Sequence, residues 1–340
     1  MQSPNFTPTT VNRRTLIRMA AACAAAGSPL AYASGDKASF PSKPLRVTVP
    51  FAAGGATDVL ARAVCEKLGA GLGQPAIVDN RPGAAGLLAC DVVAKAAADG
   101  HTMTLGTTST MLSNQFMFKK MGYDPQKDLV PVTRVCWAPI VLVVNTKVPA
   151  NNLQELMAYA KSNKGKLSYG SYGIGSHGHL VLASLSNEAN ADMTHIAYKG
   201  EAPMVQDLVG GQLMMGIGSI LSLKQHIDSG KLRAIAFTGL NRVPALPEIP
   251  TFAELGHKQD AFTISGWLGV AATGGTPAAV VEQLATEIRK AVQTREVNAR
   301  VLMAGFVPLT TDTPQKYLAD WNRELPIWKK LLADAGVQPT

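Results

Sequence analysis

Two Gly-rich turns carry the residue types from which a binding site can be built. In Ala52-Ala53-Gly54-Gly55-Ala56-Thr57-Asp58 the glycines admit positive φ and let a ligand approach the backbone closely. Thr57 or Asp58 can cap the helical pattern that follows. Read as function, the stretch is a carboxylate cradle: amides and the Thr57 hydroxyl at the positive end of a helix. Asp58 fits such a cradle if it caps the helix, faces a donor or meets an amino group on the ligand. Read as structure alone, it is a turn with a capping Asp.

The second turn, Gly173-Ile174-Gly175-Ser176-His177-Gly178, matches G-x-G-x-x-G, the form of a dinucleotide fingerprint. That fingerprint wants an acid at the end of the next strand, about 20 residues on, to bind ribose. Asp192 has the count but precedes its strand, whose far end reads Ala197-Tyr198-Lys199-Gly200. The plainer reading is a Gly-rich helix N-terminus, which still offers amides to a small anion. Ser171, Ser176, His177 and His179 invite a hydrolase, yet G-x-S-x-G is absent. His177-Gly178-His179 supplies two imidazoles and no third ligand at helical spacing, so no metal or nucleophilic constellation is complete. C-x-x-C is also absent, which argues against structural zinc. No catalytic residue, metal or cofactor is expected.

The elements around these turns alternate. Leu45–Phe51 reads as a strand bounded by prolines, Val59–Leu68 as a helix, Ala76–Asp79 as a strand and Leu87–Ala97 as a helix. Thr102–Gly106 is another strand, running into Thr107-Thr108-Ser109-Thr110. Val132–Asn145 is β-rich, longer than a usual strand and broken by Pro139, which suits a segment crossing between lobes. A second series begins with a helix from Leu153. Its strands are 167–169, 193–198, 214–217 and 232–238, with helices at about 180–187 and 202–209. Met214-Met215 reads as core. The Pro-rich stretch 240–260 is a loop, Phe262–Ala272 a return strand, and Pro277 opens helices reaching about Leu332. This is α/β architecture in two lobes joined by two crossovers, with loops at strand ends where such sheets bind ligands.

The N-terminus reads as an address. Arg13, Arg14 and Arg18 precede a short apolar run, Met19–Gly27, and an A-x-A site ends at Ala33. Export with cleavage after Ala33 is expected, and the paired arginines allow either a twin-arginine or an ordinary secretory route. Cys23 lacks the leucine of a lipobox, since Ala20 stands there. Residues 34–44 read as a linker. Cys65, Cys90 and Cys136 then remain: an odd, widely spaced set that forms no disulfide framework, although one pair could bridge.

Composition narrows the class. With 46% hydrophobic and 16% charged residues in 340, the chain can bury a core and is not disordered. No apolar stretch reaches the roughly 20 residues of a membrane helix. Without the first 33 residues the net charge of +8 falls to +5, from 29 basic against 24 acidic residues. The basic residues are scattered and aromatics are 6%, which argues against nucleic acid.

Taken together, several stretches resemble one family: Val49-Pro50-Phe51 with Gly54-Gly55 and Asp58; Asn80-Arg81-Pro82-Gly83-Ala84-Ala85-Gly86; Tyr169-Gly170-Ser171 through Gly175-Ser176 to His179-Leu180; and Tyr198-Lys199-Gly200 with Pro203. Gly210-Gly211, Pro247-Glu248-Ile249-Pro250-Thr251 and Trp267 with Gly269 complete the set. Over residues 43–335 the chain resembles the Bug-type periplasmic solute-binding receptors of tripartite tricarboxylate transporters. The resemblance implies a type II-like, two-lobed periplasmic binding protein fold, with lobe 1 at 34–138 and 263–340 and lobe 2 at 139–262. It also implies a carboxylate held in the cleft by loops of both lobes. Carried onto this chain, lobe 1 supplies Phe51, Gly54, Gly55, Thr57, Asp58, Thr107, Thr108 and Ser109. Lobe 2 supplies Ser171, Gly175, Ser176, His179, Tyr198, Lys199 and Gly200. One departure stands out: the family commonly has aspartates after the Gly-Gly pair, where this chain reads Leu213-Met214-Met215-Gly216-Ile217-Gly218.

The expectation is a monomeric exported receptor that closes on a small organic carboxylate and delivers it to a membrane permease or a sensor protein. Its rivals are an exported enzyme or a signalling receptor using the same cleft, a dinucleotide enzyme being the weakest of these.

Overall fold

The computed structural model describes residues 40–340, so the expected signal peptide, Cys23 and the first part of the linker lie outside the described residues. Leu45–Val49 (β1) is buried on both faces, as its near-continuous apolar run requires of a central parallel strand. It pairs in parallel with Ala76–Asn80 (β2) on one side and Thr102–Thr107 (β3) on the other. Helices Ala56–Leu72 (α1) and Leu87–Ala94 (α2) connect them. Leu129–Ala138 (β4) then crosses to the far side of the same sheet.

The chain leaves that sheet at Pro139-Ile140. Val141–Asn145 (β5) opens a second sheet with Ser168–Ser171 (β6), Thr194–Ala197 (β7), Met215–Gly218 (β8) and Leu232–Phe237 (β9). Between them run helices Leu153–Ser162 (α3), His177–Glu188 (α4), Glu201–Gly210 (α5) and Ile220–Asp228 (α6). The order is β7-β6-β8-β5-β9, with β6 parallel to β7 and β8, and β5 antiparallel to β8 and β9. The return passage, 238–265, leads into Gly266–Thr273 (β10), which inserts antiparallel between β3 and β4. The first sheet is completed by Val307–Pro308 (β11), in the order β11-β4-β10-β3-β1-β2. The two passages are tied to each other, since Ile140 N donates to Thr238 Oγ1 at 3.1 Å and Thr238 N to Ile140 O at 3.0 Å.

Helices Ala278–Gln293 (α7), Arg295–Met303 (α8) and Pro314–Asp334 (α9) close the chain. Thr313 caps α9, with Pro314 in its first turn. Tyr317, Trp321 and Trp328 of α9 pack in one buried cluster with Trp267 of β10 and Leu180 of α4, so this helix touches both sheets' layers. Arg134 fixes its approach by pairing with Asp312 at 2.7 Å, both side chains fully buried.

Several expectations are corrected. The first helix begins at Ala56, not Val59, and the third strand's trailing Thr-Ser segment winds directly into a π-type turn at Ser109–Ser113. A short helical turn, Asp260–Thr263, replaces the front of the return strand, the Gln259 carbonyl accepting from the Phe262 and Thr263 amides and the Asp260 carbonyl from Ile264 N. Helix α6 had no counterpart in the sequence reading. Pro277 is the N-cap of α7 and not its first residue. Cys65, Cys90 and Cys136 are three separate free thiols, each buried, which excludes a bridge in this fold. Burial raises the thiol pKa of Cys65 to about 12 and of Cys90 to about 11, so both behave as inert apolar residues.

Candidate functional site

In lobe 1 the loop after β1 is organised by Asp58. Its buried carboxylate accepts from Gly54 N at 2.9 Å, Asn80 Nδ2 at 2.9 Å and Arg62 Nε at 3.0 Å, while Asn80 Nδ2 also reaches Phe51 O at 3.0 Å. Burial alone would raise the Asp58 pKa, but bonds from Arg62, the Gly54 amide and Asn80 outweigh it and hold the carboxyl below its usual range. Asp58 is therefore an anchor, with its lone pairs spent on its own chain. Gly55 caps α1 with no side chain, and the amides of Gly55, Ala56, Thr57 and Asp58 have no acceptor among the described residues. The Thr57 hydroxyl is likewise unbonded there. Those donors, at the positive end of a 17-residue helix, form an anion cradle.

The other lobe 1 loops meet this one. A Cβ on Gly86 would fall 2.9 Å from Pro50 Cβ and 3.1 Å from Thr110 Cβ, so the turns after β1, β2 and β3 converge. Thr107 and Thr110 brace each other, Thr107 N donating to Thr110 Oγ1 at 3.0 Å. Thr108 is buried and its hydroxyl accepts from Trp267 N at 2.9 Å. Ser109 alone of the three retains a free, half-buried hydroxyl among the described residues.

Lobe 2 divides differently from the expectation. Ser171 ends β6, six residues before α4, and is fully buried. Its hydroxyl lies 2.9 Å from Gly173 O and 2.7 Å from His195 Nε2, so it braces the loop from inside. Ser176 caps α4, accepting from His179 N at 3.3 Å, and Gly178 N donates to Tyr172 Oη at 3.2 Å. Gly175 N donates to His179 Nδ1 at 3.2 Å. The Gly-rich motif has thus spent most of its own donors. Its last glycine serves packing, since a Cβ on Gly178 would lie 2.8 Å from Ile217 Cγ2. No ribose-binding acid appears at the motif's partner strand: Asp192 is exposed, at φ 51 before β7.

The open donors of lobe 2 stand at α5. Gly200, at φ 105, caps that helix without a side chain, and the amides of Lys199, Gly200, Glu201 and Ala202 have no acceptor among the described residues. Lys199 is exposed and unpaired there. Tyr198 donates its hydroxyl to Asp207 at 2.7 Å, and burial with that carboxylate raises its pKa to about 12. The Glu201 carboxylate turns away to accept from Ser219 N at 2.8 Å and Ser219 Oγ at 2.6 Å. Leu213 and Met215, where the family departure lies, are fully buried core.

Besides the α9–α4 packing, the lobes touch beside these loops. A Cβ on Gly175 would run into Met117 Sδ of lobe 1. A Cβ on Gly266 would sit 3.5 Å from His177 Nδ1 and 3.9 Å from Thr108 Oγ1, so the β3 loop and the start of α4 flank the same point. Among the described residues no cluster of His, Cys, Asp or Glu could hold a metal. A concavity of about 460 Å³ lies elsewhere, between the return passage and α9, lined by Leu240, Lys258, Ile264, Arg323, Glu324 and Ile327. Asn80, Arg62 and His195 were missed as site residues; Asn80 alone left a signal, as a polar residue closing a strand beside Val49, its register partner.

Residues 60–336 match the tripartite tricarboxylate transporter family receptor. BugT of Bordetella pertussis is 35% identical over 302 residues, 88% of this chain and 91% of the relative. The structure of the periplasmic binding protein BugD superposes with a TM-score of 0.76 at 33% identity, covering 88% of this chain and 100% of that one. The R. palustris protein Rpa4515, solved with adipate, gives 0.78 at 32% identity over 88% of this chain and 100% of its own.

Proposed function

The chain belongs to the tripartite tricarboxylate transporter family of receptors, solute-binding proteins for small carboxylates, and from that premise we propose how it works. The ligand carboxylate is held between the open amides of α1 in lobe 1 and those of α5 in lobe 2. Lobe 1 comprises residues 34–138 and 263–340, and lobe 2 residues 139–262. Hinging at the Ile140–Thr238 contact brings the two helix ends onto one anion, exchanging its hydration for preorganised N–H donors. Phe51, Gly54, Gly55, Thr57 and Ser109 face the ligand from one side; Lys199 and Gly200 do so from the other. Asp58, Thr107, Thr108, Ser171, Gly175, Ser176, His179 and Tyr198 hold those loops in place.

The observation that carries this reading is the pair of helix N-termini without a side-chain cap, at Gly55 and Gly200, each with free amides on a loop at the end of a sheet strand. Lys199 favours a second carboxylate on the ligand. We further propose export by the first 33 residues, cleavage after Ala33, and delivery of the acid to a tripartite permease by a monomer. The protein performs no reaction in this account.

A thermal-shift screen over mono-, di- and tricarboxylates, aromatic acids and amino acids tests it. A true ligand at 100 times its dissociation constant adds about 2.7 kcal/mol of stability. Absence of any stabilising acid, or turnover of the acid that binds, overturns it.

A further inference from the structure

We propose that His179 and His195 are positioning residues that latch the lobe 2 loop, and that protonation of His179 releases the latch. The rings lie face to face, centroids 3.8 Å apart at an interplanar angle of 12°, with Tyr169 beside the pair, its ring centroid 5.1 Å from His195 and 6.4 Å from His179. Each ring bonds to one end of the Ser171–Ser176 loop: His195 Nε2 to Ser171 Oγ, and His179 Nδ1 to the Gly175 amide. The second bond sets a tautomer. An Nδ1 that accepts Gly175 N–H carries no proton, so neutral His179 is protonated at Nε2.

Adding a proton to Nδ1 puts two N–H groups against each other at 3.2 Å, and the Gly175 amide loses its acceptor. His195 answers differently, because a protonated Nε2 can donate to Ser171 Oγ while Ser171 keeps Gly173 O. The groups that face the pair are Tyr169 and Ser171 from β6 and Ser176 from α4. Among the described residues no carboxylate forms an ion pair with either ring. Burial lowers both imidazoles to about 4, the charge of His179 adding to the effect on His195. The loop so held is the one that seats against Met117 of lobe 1, so the latch sets where the lobes touch.

The inference rests on the carboxylate-receptor reading for its purpose, but its test uses no carboxylate, so each can fail alone. Gly175 amide exchange and His179 ring resonances are followed by NMR in the mature chain from pH 7 to 3.5, with tryptophan fluorescence reporting global unfolding. Protection of the Gly175 amide should fall about tenfold as His179 titrates, before the fluorescence changes. In His179→Asn, whose amide oxygen replaces Nδ1 as acceptor, protection should persist through that range. In His179→Leu it should be absent at pH 7. In His179→Asn, which also removes that ring's charge, the His195 midpoint, followed by its own ring resonance, should rise. Gly175 protection indifferent to His179 titration, loss only with global unfolding, or an unmoved His195 midpoint in His179→Asn would each overturn the proposal.

Discussion

The Asp58 carboxylate accepts the Gly54 amide at 2.9 Å, folding the β1–α1 loop back on its own helix. That single contact turns the most conspicuous charged residue of the loop from a ligand contact into a brace. Asp58→Ala removes the common acceptor of Gly54, Asn80 and Arg62 and leaves their donors facing a void. We expect a loss of about 1–3 kcal/mol in urea unfolding, with weaker binding of every ligand alike. Selective loss of amino-bearing acids would mean that Asp58 meets the ligand directly.

Thr57 and Ser171 should behave as opposites. Thr57→Ala deletes a free hydroxyl beside the cradle and should weaken carboxylate binding by about 10–150-fold, the equivalent of roughly 1.5–3 kcal/mol. Its stability should stay within about 0.5 kcal/mol. Ser171→Ala strands His195 Nε2 and the Gly173 carbonyl and should cost about 1–3 kcal/mol in stability. Calorimetry and urea titration of both variants separate the two roles.

How far the sequence reached follows from how local each signal was. The alternation of strand, Gly-rich loop and helix exposed the α/β layers, and Pro139 marked the crossing because proline cannot donate within a ladder. Helix α6 was missed because Gly216, Gly218 and Ser219 stand against its start and its nine residues are short. The bracing role of Ser171 was not legible because its partner, His195, is 24 residues away on a neighbouring strand. That proximity comes from the parallel register Tyr169↔His195, which no local pattern encodes. The open amides at Gly200 were legible as a Tyr-Lys-Gly motif, but that they outnumber those at Ser176 depended on side chains folding back.

Acid should loosen the fold before it protonates the native histidines. Burial lowers His177 and His179 to about 4, against about 6.5 in the unfolded chain. Between those values the unfolded chain binds protons that the fold refuses. Stability is therefore full above about pH 6.5, declines toward pH 4 and levels below it, by up to about 3 kcal/mol for each ring. Unfolding free energies measured from pH 7.5 to 4 should show that slope, and His177→Phe should make it shallower while His179 and His195 keep the remainder.

Gly175→Ala should be strongly unfavourable, because φ is +68° and the added methyl meets Met117 Sδ. Met117→Ala removes the steric part and leaves the backbone part. The double variant should therefore be more stable than the sum of the single changes by about 0.5–3 kcal/mol, the usual range for touching residues. Simple additivity would show that the lobes do not meet there in solution.

The most direct measurement is amide chemical-shift mapping of the mature chain with the acid that the thermal screen selects. The account predicts the largest shifts at Gly55–Asp58 and at Lys199–Ala202, together, with smaller changes through Ser171–Ser176. Shifts confined to one lobe, or centred on Leu240, Lys258 and Arg323 between the return passage and α9, would contradict capture between the two helix ends.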